Sequence, residues 1–314
     1  AILAQSPICR RFRPKKSSCL VLVLTLSTIF KMSYDDSKFT TFKVKVEEGI
    51  AWVTFDFPPV NVQGSPMLKD LNVLAEALES DTSVKVVVFQ SAHPEIWVCH
   101  YDTKDLKEMS CEAVSREEVQ LLDLQATCER ISKLPQATIA KIEGFARGGG
   151  HELALALDMR FAARGKAVFM QMEVGMGILP CGGGASRMAR QVGLGRALEI
   201  ILGAEDFDAE KAEAYGTINK ALDPAEIGPY VEALAKRISK FQSASIKACK
   251  RMVYESIDKP IDEALKAEAY WLYQCTSQTP AVKRFRIAEE KGLQYEVTNQ
   301  RNWNNMVMDV QEIV

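Results

Sequence analysis

The sequence predicts a mixed α/β core followed by a helical C-terminal region, and three observations carry that expectation. Short runs rich in β-branched and aromatic residues alternate with segments of helical apolar spacing as far as about Asp223. From Pro224 onward the long segments all have helical spacing. No repeat of fixed period and no low-complexity tract interrupts either part. Strands alternating with helices are what an α/β layer architecture requires.

The elements follow in order. Phe42, Val44 and Val46 alternate with lysines, which predicts a strand, and the run from Ile50 to Phe55 predicts its hairpin partner. Pro58-Pro59 breaks the pattern. Met67 to Leu78 has helical apolar spacing, and Val84 to Phe89 (VKVVVF) reads as a buried strand. Arg116 to Leu134 reads as a helix ended by Pro135, and Thr138 to Ile142 as another short strand. Beyond Asp223, the stretches Pro224 to Lys240, Ser243 to Ser256, Pro260 to Gln278 and Ala281 to Lys291 all suit helices.

The first 31 residues stand apart. A basic cluster from Arg10 to Lys16 precedes an apolar run of 12 residues from Cys19 to Phe30, too short to span a bilayer comfortably. Basic then apolar residues imitate a secretory signal, but no small-residue cleavage pattern follows. Met32 is the expected biological start, with a targeting segment as the alternative. The expected division is residues 1–31 as a non-core extension, 32–223 as the α/β core and 224–314 as the helical region.

Composition bounds the function. Of 314 residues, 47% are hydrophobic and 25% charged, so a sizeable core can be buried. Lys plus Arg number 39 against 41 Asp plus Glu, a net charge of −2. That balance gives no electrostatic case for nucleic acid or an anionic membrane as partner. The 8 cysteines include no C-x-x-C pair, so no metal site is expected and reduced thiols in an intracellular compartment are the simpler reading. The cytoplasm comes first, with mitochondrion or peroxisome also open; the C-terminus, Gln311 to Val314, is not a Ser-Lys-Leu type signal.

Two stretches carry chemistry. In the first, Lys141 to Asp158 (KIEGFARGGGHELALALD), a strand runs into Gly148, Gly149 and Gly150 and then an apolar helix. Glycines let the backbone approach a ligand, and the helix start points free N–H groups and a positive dipole end at that spot, suiting a phosphate or a developing oxyanion. Tight packing of strand against helix accounts for the glycines equally well. Glu152 follows at the mouth of a buried helix, where a carboxylate costs free energy unless paired or used. The second stretch, Phe169 to Arg187 (FMQMEVGMGILPCGGGASR), holds Glu173 in an apolar setting before a Gly-Pro-rich turn. Its 21-residue distance from Glu152 leaves room for a helix, a strand and a return, so both carboxylates could face one pocket as general acid and base.

With these residues the chain resembles the crotonase (enoyl-CoA hydratase/isomerase) family. The shared pattern is Gly144, Ala146, Gly148 to Gly150, Glu152, Leu153, Ala154 and Asp158, then Gln171, Glu173, Gly177, Ile178, Pro180, Gly183, Gly184 and Arg187. Pro59-Val60-Asn61 and Asp208 to Ala212 are similar to the family as well. The resemblance implies a spiral of ββα units with a helical C-terminal region used for trimerisation, in a homotrimer or a dimer of trimers. It implies an acyl-CoA substrate, with no cofactor because coenzyme A is part of that substrate. By motif position the backbone N–H groups of Tyr101 and Gly149 would form an oxyanion hole, with Glu152 and Glu173 catalytic. Tyr101, Asp102, Thr103, Lys104, Gly148 and Gly150 would contact substrate or coenzyme A. Hydration of a 2-enoyl-CoA is the leading expectation; an isomerase on the same fold and an inactive scaffold are the alternatives. The segment Cys99-His100-Tyr101-Asp102 departs from the usual Ala-Gly-Ala-Asp, and its bulk should narrow the acyl pocket. Arg147 and His151 are unusual beside the glycines.

Overall fold

The computed structural model describes Tyr34 and residues 36–312. The expected extension over residues 1–31 lies outside the described residues. A short 3-10 turn, Asp36–Lys38, leads into a hairpin of β1 (Phe42–Glu47) and β2 (Ile50–Phe55). Glu48 and Gly49, both at positive φ, form its two-residue loop. Such loops match the right-handed twist of the strands they join. Helix α1 (Ser65–Ser80) follows, starting with Pro66 in its first turn.

From there the chain alternates between two sheets. It passes through β3 (Val86–Ser91), β4 (Ile96–Val98), α2 (Thr103–Lys107) and α3 (Asp123–Ser132). Next come β5 (Ala137–Ile142), β6 (Phe145–Arg147), α4 (Gly149–Ala156), β7 (Met159–Ala163) and β8 (Val168–Met170). A 3-10 turn at Glu173–Met176 leads to α5 (Gly184–Val192), α6 (Leu194–Gly203), β9 (Phe207–Asp208), α7 (Ala209–Tyr215) and β10 (Lys220–Leu222). One sheet has the order β1-β2-β3-β5-β7-β10 and the other β4-β6-β8-β9. The pairs β3-β4, β5-β6 and β7-β8 each give one strand to each sheet and are followed by a helix, the ββα repeat that the family resemblance implies, whereas β1 and β2 both lie in the larger sheet. Within the larger sheet β2, β3, β5, β7 and β10 are parallel; in the smaller, β4, β6 and β8 are parallel and β9 is antiparallel.

The main core lies between the sheets and under α1, α3 and α4, with Phe55, Phe89, Trp97 and Phe169 fully buried. The other face of the larger sheet is covered by α8 (Ile227–Ser239) through Ile227, Val231 and Ala235. This is why β3 reads VVVF: a parallel strand covered on both faces has no polar side. The chain continues through α9 (Ser243–Ser256), α10 (Ile261–Gln278), α11 (Ala281–Glu290), α12 (Val297–Arg301) and α13 (Trp303–Glu312). The four helices read from the sequence after Asp223 are present, with two further short helices after them.

One expected element is shorter than its text. The helix read from Arg116 to Leu134 begins only at Asp123, where the Gln125 side chain accepts the Leu122 N–H. Residues 115–121 are exposed and have no partner surface to bury an apolar face. Helical stability in proteins comes mainly from such burial.

Candidate active site

Three parallel strand ends build the site. Beyond β4 the chain runs through Cys99, His100 and Tyr101; beyond β6 it enters Gly148 and α4; beyond β8 it passes Gln171 and reaches Glu173. Carboxyl ends of neighbouring parallel strands leave a crevice that loops can line. Gly148 turns β6 into α4 at a φ of +47°, a backbone state that side chains resist. Gly149 and Gly150 answer a different need, close approach. A β-carbon on Gly150 would overlap the Val98 and Cys99 carbonyl oxygens, and one on Gly149 would overlap Gln63 Oε1 and lie 3.4 Å from Tyr101 Cβ. The first turn of α4 is thereby pressed onto the segment after β4. Gln63 itself pairs with that segment, donating its N–H to the His100 carbonyl and accepting the Asp102 N–H. Neither the Tyr101 nor the Gly149 N–H has a backbone partner among the described residues.

These elements enclose a cavity of about 440 Å³. Its inner wall is His100, Tyr101, Gly149, Glu152 and Glu173; its outer wall is apolar, with Leu106, Met109, Leu122, Met176, Ile178 and Leu179. Glu152 is 2% exposed and accepts the Gly184 N–H at 2.9 Å, with the Gly182 N–H beside it. Burial pushes its carboxyl up to about 7; the Gly184 N–H opposes that rise and the neighbouring Glu173 adds to it. Glu173 is 8% exposed and starts the Glu173–Met176 turn. Burial raises its carboxyl too, and its Oε2 is buried without a partner among the described residues. Two carboxyl groups on one wall, both shifted by burial toward their protonated forms, can give and take protons there. His100 is pushed up to about 9, first by its hydrogen bond with Cys99.

Of the residues singled out from the sequence, Tyr101, Thr103, Gly149, Glu152 and Glu173 share the cavity wall. Asp102, Lys104, Gly148 and Gly150 do not line it. Asp102 caps α2 by accepting the Lys104 N–H at 2.8 Å, and Lys104 is exposed. Gly148 and Gly150 pack behind the wall, against His100 and the β4 carbonyls. His100 and Tyr101 line the cavity, consistent with their bulk reshaping it. Arg147 makes a two-armed pair with Asp206 at 2.7 and 2.6 Å and stacks on Phe145. Sequence reasoning passed over Gly182 and Gly184 as N–H sources for Glu152, and Gln63 as the contact behind Gly149. The signal for the first was present in the glycine run itself: a β-carbon on Gly184 would sit 2.8 Å from Glu152 Oε1.

Comparison with known proteins is consistent with this geometry. Residues 45–304 match the enoyl-CoA hydratase/isomerase family model. The chain is 31% identical over 232 residues to the short-chain-enoyl-CoA hydratase of Clostridium acetobutylicum, covering 74% of this chain and 87% of that protein. It is 31% identical over 224 residues to the crotonyl-CoA hydratase of Syntrophomonas wolfei, covering 71% and 85%. The crystal structure of an enoyl-CoA hydratase from Mycobacterium smegmatis superposes with a TM-score of 0.70 at 25% identity, over 81% of this chain and 97% of that one.

Proposed function

The chain belongs to the enoyl-CoA hydratase/isomerase family, and we propose that it adds water across the double bond of a 2-enoyl-CoA. The observation that carries this reading is the pair of buried glutamates on one cavity wall beside Gly149 and Tyr101. The thioester oxygen accepts hydrogen bonds from the Tyr101 and Gly149 N–H groups, which stabilise the charge that develops on it. Glu152, held by two backbone N–H groups that favour its carboxylate, takes a proton from water. The water oxygen bonds to C3 while the C2–C3 π electrons move to the thioester oxygen as an enolate. Glu173, which burial biases toward its protonated form and whose Oε2 has no partner among the described residues, gives its proton to C2 as the enolate collapses. Glu152 thus gains a proton as Glu173 loses one, and return of a proton from Glu152 to Glu173, directly or through solvent, completes the cycle; the reaction needs no cofactor or metal, and coenzyme A arrives as part of the substrate.

The remaining parts of the reading rest on surface features. Exposed Tyr270, Leu272, Tyr273 and Phe285 on α10 and α11 support assembly into a homotrimer or a dimer of trimers. Six described cysteines are free, in keeping with a reducing intracellular compartment, the cytoplasm first. No helix among the described residues is long and apolar enough to cross a membrane.

Steady-state turnover of crotonyl-CoA, a longer 2-enoyl-CoA and a 3-enoyl-CoA tests the proposal. Glu152→Gln and Glu173→Gln should each slow hydration about 10²-fold or more, the scale of a lost general acid or base. A parent enzyme that shifts the double bond of the 3-enoyl-CoA but hydrates neither 2-enoyl-CoA, with Glu152→Gln still active, would assign isomerisation instead.

A further inference from the structure

Behind Glu152 lies a buried polar pair that the proposed reaction does not use. His151, next in the chain to Glu152, is fully buried, and its ring lies 5.2 Å from the Phe169 ring and 5.7 Å from the Phe207 ring. Its Nδ1 lies 3.0 Å from the Nε2 of the equally buried Gln171. At the far end of the Gln171 amide, Oε1 has no partner among the described residues. That oxygen and Glu152 Oε1 border the same space beside Gly184, where a β-carbon would be 3.1 Å from the first and 2.8 Å from the second. The Gly184 N–H, in turn, donates to Glu152 Oε1 at 2.9 Å.

An amide can present either end. With Nδ1 bare it accepts from the Gln171 NH₂, which turns the amide oxygen toward Glu152. With Nδ1 protonated the amide would flip and turn its NH₂ there instead. An amide oxygen beside a carboxyl disfavours the carboxylate, whereas an N–H favours it. The ring's other nitrogen, Nε2, is buried with no partner among the described residues. Among aromatic rings an N–H can still meet a π face, which a lone pair cannot do favourably. With no polar partner at Nε2 among the described residues and two aromatic rings against the imidazole, the surroundings favour the tautomer protonated on Nε2.

We infer that His151 is a positioning residue that holds the Gln171 amide with its oxygen toward Glu152 and so keeps the Glu152 carboxyl protonated to higher pH. Burial and the nearby Arg160 push His151 itself down to about 3, so it stays neutral across the working range. The other titratable and charged groups around Glu152 are Glu173, Arg187, Cys128 and Cys181. No hydrogen bond among the described residues joins any of these to the amide whose orientation is at issue. The inference rests on the hydratase reading only for its catalytic consequence; the proton affinity of Glu152 is measurable without substrate.

Two measurements test it. Nitrogen-15 NMR of the unmodified protein reads the tautomer directly, because the chain has 3 histidines and His93 and His100 can be assigned by substitution. The expected spectrum has a bare Nδ1 and a protonated Nε2 that do not titrate from about pH 5 to 9; a protonated Nδ1 overturns the inference, whether or not any variant folds. The second measurement takes the Glu152 midpoint from the pH dependence of the stability difference between each background and its Glu152→Gln derivative. His151→Phe keeps the ring but frees the amide, and should lower that midpoint by about one unit or more. His151→Asn restores a polar atom near the Nδ1 position and should return it to the parent value. The same downward move should appear in the acid limb of kcat/KM for His151→Phe. An unchanged stability midpoint in His151→Phe, or an equal fall in His151→Asn, defeats the positioning role while leaving hydration intact. Absence of hydration with the midpoint shift present defeats the hydratase reading instead.

Discussion

The two walls of the cavity are built on opposite principles. The inner wall consists of strand ends and the first turn of α4, with glycines where atoms meet and two glutamates that are nearly inaccessible to solvent. The outer wall consists of side chains on short turns and loops, and much of its apolar surface is open: Met176 is 72% exposed and Leu179 64%. A group that must take or give a proton at one atom needs sub-ångström placement, which packed backbone supplies. A surface that only has to cover an acyl chain needs apolar area and tolerates adjustment. The comparison therefore predicts that small changes on the inner wall are costly and larger ones on the outer wall are mild.

The largest effect should come from one methyl group. Gly150→Ala places a β-carbon against two backbone carbonyl oxygens, those of Val98 and Cys99, and neither is the end of a flexible side chain. Overpacking of a tight site costs about 1–3 kcal/mol or more, and the displaced helix start would move the Gly149 N–H. A shift near 1 Å is enough to lose about 10²-fold in rate. Urea unfolding and kcat on crotonyl-CoA check this; a Gly150→Ala enzyme with parent stability and turnover would show that the inner wall is not rigid.

A smaller effect, opposite in sign for stability, belongs to Glu152. Its folded carboxyl is raised from 4.5 to about 7, so the native state holds the proton after the unfolded chain has lost it. The sign follows: between about pH 4.5 and 7 the parent loses stability as pH rises, and above that the full cost of a buried carboxylate remains. At 1.36 kcal/mol per unit this amounts to at most about 3 kcal/mol, partly offset when an amide replaces the carboxylate beside two N–H donors. Glu152→Gln should therefore be more stable than the parent at pH 8 and lose that advantage near pH 4.5, although it is nearly inactive. Equal stability differences at both pH values would mean that Glu152 is not strained by its burial.

The same contrast explains what could be read from the sequence. The inner wall was legible because geometry at close range admits few residue types: three glycines at a strand-to-helix turn, then an acid at a buried helix start. The hairpin, β3, β5 and the first four C-terminal helices were legible from periodicity. The three-residue strands β4 and β8 were not, because a run that short carries no periodic signal, and β6 showed only as a strand running into Gly148. Their pairing nevertheless brings Tyr101, Gly149 and Glu173 together. The outer wall was illegible for a different reason. Leu122, Met176 and Leu179 meet only through the path of the chain, and exposed apolar residues in loops look alike whatever they cover. The start of α3 was misread because Arg116 to Gln120 has helical composition but no surface to bury against.

The mildest effect should lie on that outer wall. Met176, Ile178 and Leu179 follow Glu173 closely, so their loop is continuous with the Glu173–Met176 turn but not packed into the core. Truncating Leu179 to Ala removes apolar surface that an acyl chain would cover, at about 0.8 kcal/mol per buried methylene group. Because the side chain is mostly exposed, only part of that surface is at stake, and an effect of about 1 kcal/mol, or roughly fivefold, is expected. The loss should appear in KM for a long 2-enoyl-CoA whose chain reaches Leu179, with crotonyl-CoA little changed, since a four-carbon acyl group bound at the glutamates as proposed would present little chain to the outer wall. Stability should hardly move, because surface substitutions away from packed features fall within about 0.5 kcal/mol. A Leu179→Ala enzyme that loses kcat on crotonyl-CoA as strongly as a glutamate variant would show that the loop positions Glu173. The two walls would then be one mechanical unit rather than a rigid wall facing an adaptable one.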